Sequence, residues 1–157
     1  MPEKIDKHFN SGDTTLNQKW GIQVISSGWV GVPNLIFEYQ ARLKLTSPEL
    51  NVLLTIMSFW WKKNAHAHPS VKTIAEMIGK SEKTVQNSLR SLESHELPSG
   101  IELPKHYTGY IRTVRRKKAD GGNLSNEYRF DPLIAILKEL AKEQSNQRSN
   151  SRRRIPR

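Results

Sequence analysis

Between Ser81 and Ser94 the chain gathers side chains that can pair with the edges of bases: Ser81, Lys83, Thr84, Gln86, Asn87, Arg90, Ser91 and Ser94. Arg or Lys suits guanine, Asn or Gln suits adenine, and a hydroxyl suits either. A merely solvated helix face would be dominated by Lys and Glu. At about 100° per residue, Val85, Leu89 and Leu92 fall into one narrow sector. Lys83, Asn87, Arg90 and Ser94 project from the opposite side, with Thr84, Gln86 and Ser91 on its flanks. Glu82 could accept a hydrogen bond from cytosine, but in a first turn it more simply favours the helix dipole.

A second cluster is purely cationic. Arg112, Arg115, Arg116, Lys117 and Lys118 follow one another closely, and residues 105–118 contain no acid. The whole chain carries a net charge of +10, yet residues 1–104 contribute only +1 and residues 105–157 contribute +9. Charge needed only for solubility has no reason to segregate, so the pattern predicts a surface built to meet a polyanion. Nucleic acid, anionic membrane and acidic protein all remain open on charge alone.

Other chemistries find little support. The chain has no cysteine, which excludes disulfides and thiolate metal sites. His66 and His68 lack a third ligand for zinc and read as loop histidines. The acids are scattered, with no paired carboxylates, no phosphate-cradling glycine loop and no Ser-His-Asp spacing, so no enzyme, cofactor or metal is expected. The most apolar stretch, Leu50 to Trp61, is interrupted by Asn51, Thr55 and Ser58 and falls short of the ~20 residues a membrane span needs. No secretory leader is read at the start, and a cytoplasmic, nucleoid-associated protein is expected.

The reading face needs elements to hold it. Residues 1–19 are polar and aperiodic and predict a flexible arm. Trp20, Ile22 and Val24 alternate before Gly28, Gly31 and Pro33, which predicts a short extended segment and a turn. A helix is expected from Pro33 to Leu43. Another should start at Ser47, with Pro48 and Glu49 in its first turn, and reach about Lys63 as the central core helix. Trp60 and Trp61, near its end, read as core or dimer contacts in preference to base-stacking platforms. Ser70 caps a short helix whose Val71, Ile74, Ala75 and Ile78 share a face, and Gly79 ends it. Ser81 then caps the base-reading helix, which completes a helix-turn-helix layout.

Beyond Leu97 lie Pro98, Gly100 and Pro104, and then a hairpin: Tyr110 to Arg116, a turn of Asp120, Gly121, Gly122 and Asn123, and Asn126 to Phe130. Its basic first strand predicts a wing over flanking phosphates or the minor groove. Asp131 and Pro132 start a last helix whose Leu133, Ile136, Leu137 and Leu140 could close the core or form half of a two-fold interface. Residues 145–157, with five arginines and no acid, predict a disordered tail. The expected domains are thus an arm at 1–19, a core domain at 20–144 and a tail at 145–157. The expected fold class is mainly α with a small antiparallel hairpin.

The segments VPNLIFEYQARLKLTSPELNVLLTIMSFWW, HPSVKTIAEMIGKSEKTVQNSLRSLES and GYIRTVRRKKADGGNLSNEYRF resemble, in this order, the winged helix-turn-helix proteins of plasmids, phages and other bacterial mobile elements. That family includes replication initiation proteins and transcriptional regulators. The resemblance spans about residues 28–142. It implies a recognition helix carrying Ser81, Lys83, Thr84, Gln86, Asn87 and Arg90, and a wing from Arg115 to Asn123. The chain departs from the pattern by inserting His95 to Thr108, where the family commonly has a glycine and an apolar pair.

Together these readings predict sequence-specific binding of double-stranded DNA, as a homodimer, by a regulator or replication factor of a mobile element working beside replication or transcription machinery. The expected contacts are Ser70, Lys72, Ser81, Lys83, Thr84, Gln86, Asn87, Arg90, Arg112, Arg115, Arg116, Lys117, Lys118 and Asn123. The alternative is an adaptor whose winged helix contacts a helicase or polymerase.

Overall fold

The computed structural model describes residues 14–62 and 64–153. The chain divides into two compact units, Met1–Gly31 and Val32–Arg157. The described part of the first holds two short helices, α1 (Thr14–Trp20) and α2 (Ile22–Ser26). Gly21 separates them at φ 84°, a conformation that glycine adopts without strain. The extended segment expected at Trp20, Ile22 and Val24 is therefore helical. Three alternating positions do not distinguish a period of 2 from one of 3.6 once Ile25 interrupts them. Helix α1 also occupies positions 14–19 of the expected arm, whose residues 1–13 lie outside the described residues.

The second unit opens with α3 (Asn34–Glu38) and α4 (Gln40–Leu43), where one helix is expected. Tyr39, at φ −109°, breaks the run, and Lys44 ends α4 in the left-handed region at φ 52°. Helix α5 (Ser47–Met57) is capped by Thr46 and not by Ser47. The Thr46 hydroxyl accepts the Glu49 amide at 3.4 Å, and the Glu49 carboxylate accepts the Thr46 amide at 2.7 Å. Only Thr46 stands three residues before the glutamate, as this reciprocal cap requires. The helix stops at Met57, well short of the expected Lys63, where Ser58 turns its hydroxyl back onto the Thr55 carbonyl at 2.6 Å.

Beyond it Trp60 lies half-buried with its ring 5.1 Å from that of Phe130, whereas Trp61 is exposed. The chain then touches the later hairpin, the Tyr128 amide donating to the Ala67 carbonyl at 2.7 Å. The sequence gives no warning of this pairing, since Ala65 to Pro69 lacks the β-branched and aromatic residues that mark strands.

Helices α6 (Val71–Ile78) and α7 (Glu82–Glu93) pack with α5 around Val52, Leu53, Ile56, Ile74, Val85 and Leu92, all fully buried. Strands β1 (Arg112–Val114) and β2 (Glu127–Arg129) form an antiparallel ladder with Arg112 opposite Arg129, Thr113 opposite Tyr128 and Val114 opposite Glu127. Tyr128 and Phe130 share its buried side.

Helix α8 (Asp131–Arg153) sends Leu133, Ile136, Leu137 and Leu140 into the core, which settles one of the two uses its periodicity allowed. It also runs on through residues 145–153, where a disordered tail is expected. Helix propagates cheaply from a nucleus already fixed by packing, and Gln and Arg are good helix formers. Residues 154–157 lie outside the described residues. The architecture is mainly α with one two-stranded hairpin, a winged helix-turn-helix fold. No helix of the described residues is long and apolar enough to cross a membrane.

Candidate nucleic-acid interface

Two helices begin in the same way. Ser70 accepts the Thr73 amide at 3.0 Å and meets the Thr73 hydroxyl at 2.8 Å. Ser81 accepts the Thr84 amide at 3.1 Å and meets the Thr84 hydroxyl at 2.9 Å. Each serine satisfies a first-turn donor that the helix itself cannot. Between the pair, Gly79 stands at φ 65°, ψ 38° and closes α6, so that only Gly79, Lys80 and Ser81 join the two helices.

On α7, Val85, Leu89 and Leu92 are buried, as the 100° reading predicts, while Lys83, Gln86, Asn87, Arg90 and Ser94 are exposed. Thr84 is half-buried and tied to the cap. The Arg90 guanidinium donates to the Asn87 side-chain carbonyl at 3.2 Å. That bond leaves both Asn87 amide donors and the second lone pair of its carbonyl free, the set a two-point contact with adenine needs.

Ser91 does not flank the reading face as expected. It is half-buried, and its hydroxyl donates to the Glu49 carboxylate across the α5–α7 contact. Ser88, also on α7, is buried and donates to the Thr84 carbonyl at 3.0 Å. Glu49 is buried as well, and His95 Nε2 lies 3.7 Å from it. Burial alone would push the Glu49 carboxyl up, but the hydrogen bonds from Ser91 and Thr46 hold it below the ordinary glutamate value. Sequence spacing could not have found the Glu49–Ser91 pair, because its members are 42 residues apart.

The wing is anchored at Tyr110. Its amide donates to the Leu92 carbonyl at 2.7 Å, and its own carbonyl accepts the Leu133 amide at 3.1 Å. Its phenol donates to the Leu43 carbonyl at 2.6 Å. One residue thus ties the wing to the ends of α7 and α4 and to the start of α8. Burial raises the phenol far above the ordinary tyrosine value, so it stays a donor. Gly109 packs so tightly on α7 that an added Cβ would run into the Leu92 carbonyl and the Glu93 backbone.

The segment His95 to Thr108 joins α7 to this anchor. Pro98 and Ile101 are buried, Ser99 accepts from Arg42 at 2.8 Å, and Glu96 pairs with Lys44 at 2.9 Å. The Thr108 hydroxyl then donates to the Glu93 carbonyl at 2.9 Å, so the excursion returns to the end of α7 where it left.

At the tip, the Lys118 amide donates to the Gly122 carbonyl at 2.7 Å and the Gly121 amide to the Lys118 carbonyl at 3.0 Å. Gly121 sits at φ 88°, and the Asp120 carboxylate accepts the Gly122 amide at 2.9 Å. Lys117 bridges to Asn123, which is exposed. Arg115, Lys117 and Lys118 are exposed, and Arg116 is half-buried. Among the described residues no carboxylate lies within ion-pair distance of these four cations.

Arg112 differs from them. It stands at the wing's root and pairs with Asp131 at 2.9 Å. Lys72, exposed on α6, is 3.9 Å from Glu76 one turn on, a surface pair of small energetic weight. His66 Nε2 lies 4.0 Å from Glu127, and His68 Nδ1 lies 3.1 Å from the His66 carbonyl. Among the described residues no group of three or more His, Asp or Glu could hold a metal ion.

No curated protein matches the chain. Residues 43–97, from the end of α4 through α7 to Leu97, match a family model described as a helix-turn-helix domain, and such a domain points to DNA binding.

Proposed function

We propose that this protein binds double-stranded DNA sequence-specifically, as a transcriptional regulator or replication initiation factor of a mobile element, and that it does so as a dimer on a repeated site. The observation that carries this reading is the outward face of α7, where Lys83, Gln86, Asn87 and Arg90 are exposed over a fully buried Val85. Lys83 and Arg90 suit guanine, and Gln86 and Asn87 suit adenine. Arg115, Arg116, Lys117, Lys118 and Asn123 supply phosphate contacts from the wing, and Ser70 and Lys72 supply them from the start of α6. Arg112 joins them only where phosphate displaces Asp131. Ser81 and Thr84 shape the entry of α7 with their hydroxyls already engaged.

Selection of binding sites from random duplexes, followed by titration of the preferred site, tests the reading. Asn87→Ala should weaken that site by ~1–3 kcal/mol and leave binding to unrelated duplex unchanged. An unaffected preferred site would remove α7 from the reading role. The absence of measurable DNA affinity at ~0.1 M salt would favour a protein-contacting adaptor.

A further inference from the structure

Large hydrophobic side chains are unevenly exposed. Ten stand exposed among the described residues, and five of them, Trp20, Ile22, Val24, Trp29 and Val30, belong to the small first unit. Trp20 and Trp29 are 64% and 54% exposed, and Ile22 and Val24 are 69% and 54%. On α2 only Ile25 is buried, and Ile22 and Val24 flank it around the helix. Scattered single hydrophobics are ordinary on a surface, but two tryptophans and three branched aliphatics within eleven positions are not.

From this concentration we propose that the first unit is a self-association surface, and that its occupant is the same unit of a second copy of this chain. Charge supports the choice. From Trp20 to Gly31 no position is ionisable, whereas residues 105–157 carry +9. Two copies can approach through the neutral unit without like-charge repulsion, which the basic part would impose. A two-fold contact also requires a patch complementary to itself, and an uncharged set of aromatic and branched side chains meets that condition.

Size supports it too. At roughly 150–250 Å² per large side chain, the exposed fractions amount to about 500 Å² of apolar surface. A standard interface buries about 800 Å² per partner and is about 65% apolar in homodimers, which is nearly the same apolar area. Tryptophan dominates such contacts energetically, and depletion of charge marks their centres. The inference rests on the proposed function only in naming the dimer's purpose, the engagement of two half-sites.

Sedimentation equilibrium of the full chain tests it. Between about 1 and 100 μM the mass should rise from 18.0 kDa toward twice that value. Trp20→Ser combined with Trp29→Ser should weaken association about 100-fold, with helical content and affinity for a single half-site unchanged. Should the double variant misfold, iodide quenching of the native tryptophans replaces it and should increase as the dimer is diluted. A native chain still monomeric at about 100 μM, a double variant that associates as tightly as the native chain, or quenching independent of dilution would each overturn the proposal. A chain that dimerises but binds no DNA leaves this inference standing and ends the functional one, whereas a DNA-binding monomer ends this inference together with the dimeric mode of binding and leaves only base reading by α7.

Discussion

Helix α7 and the wing both present cations, but they are built in opposite ways. The reading face of α7 rests on three buried aliphatic residues and mixes Lys83 and Arg90 with the amides of Gln86 and Asn87. The wing rises from a short ladder held at Tyr110, and it carries Arg115, Arg116, Lys117 and Lys118 with no carboxylate within ion-pair distance among the described residues. Discrimination between bases needs groups fixed relative to a core, because a two-point hydrogen bond fails when its donor wanders. Neutralisation of phosphate needs only charge density, which tolerates loose placement. On the proposed function, the difference assigns α7 and the wing two separate contributions to binding, each of which a substitution can test alone.

The largest effect should come from the wing. Replacing Arg115, Arg116, Lys117 and Lys118 together with alanine removes four cations and should lower affinity for every duplex by up to about three orders of magnitude at ~0.1 M salt. The slope of log K against log salt should flatten by about 3 to 4, because each neutralised phosphate contributes about 0.9. Anisotropy titrations at several salt concentrations measure both quantities. A loss confined to the preferred site would show that the wing reads sequence, and the contrast with α7 would fail.

Next in size is the joint between the two regions. Gly109→Ala drives a Cβ into the backbone of Leu92 and Glu93, where no flexible side chain can yield. Overpacking of this kind costs about 1–3 kcal/mol, and contact with backbone places the expected loss near the upper end. Urea unfolding should show that loss as a lower midpoint at unchanged slope. An unaltered midpoint would mean that the wing's root shifts freely, and then Tyr110 would not fix the wing relative to α7.

Local signals made much of this legible. Ser70, Gly79 and Ser81 mark ends that depend on the nearest few residues, and all three act as expected. The outward set on α7 follows from angular spacing alone. What stayed hidden depends on partners distant in sequence or on competition between neighbours. Ser91 turns inward because Glu49 is buried beneath it, and Ala67 pairs with Tyr128 across 61 positions. Thr46 displaces Ser47 as the cap because Glu49 returns the hydrogen bond. Residues 145–153 are helical because Leu133 to Leu140 anchor the turns before them, a cause that composition does not record.

The smallest expected effect concerns the two serine caps and asks whether the start of α7 reads bases or only shapes the helix. Ser70→Ala and Ser81→Ala remove equivalent hydrogen bonds, at 3.0 and 3.1 Å, and each should cost about 1 kcal/mol of stability. Because the Ser81 hydroxyl is already engaged by both the amide and the hydroxyl of Thr84, its loss should not alter which site is preferred. Equal stability losses with unchanged preference would confine reading to Lys83, Gln86, Asn87 and Arg90. A change of preference in Ser81→Ala, absent in Ser70→Ala, would instead mean that DNA recruits the capping hydroxyl, which would extend the reading face to the residue that caps α7.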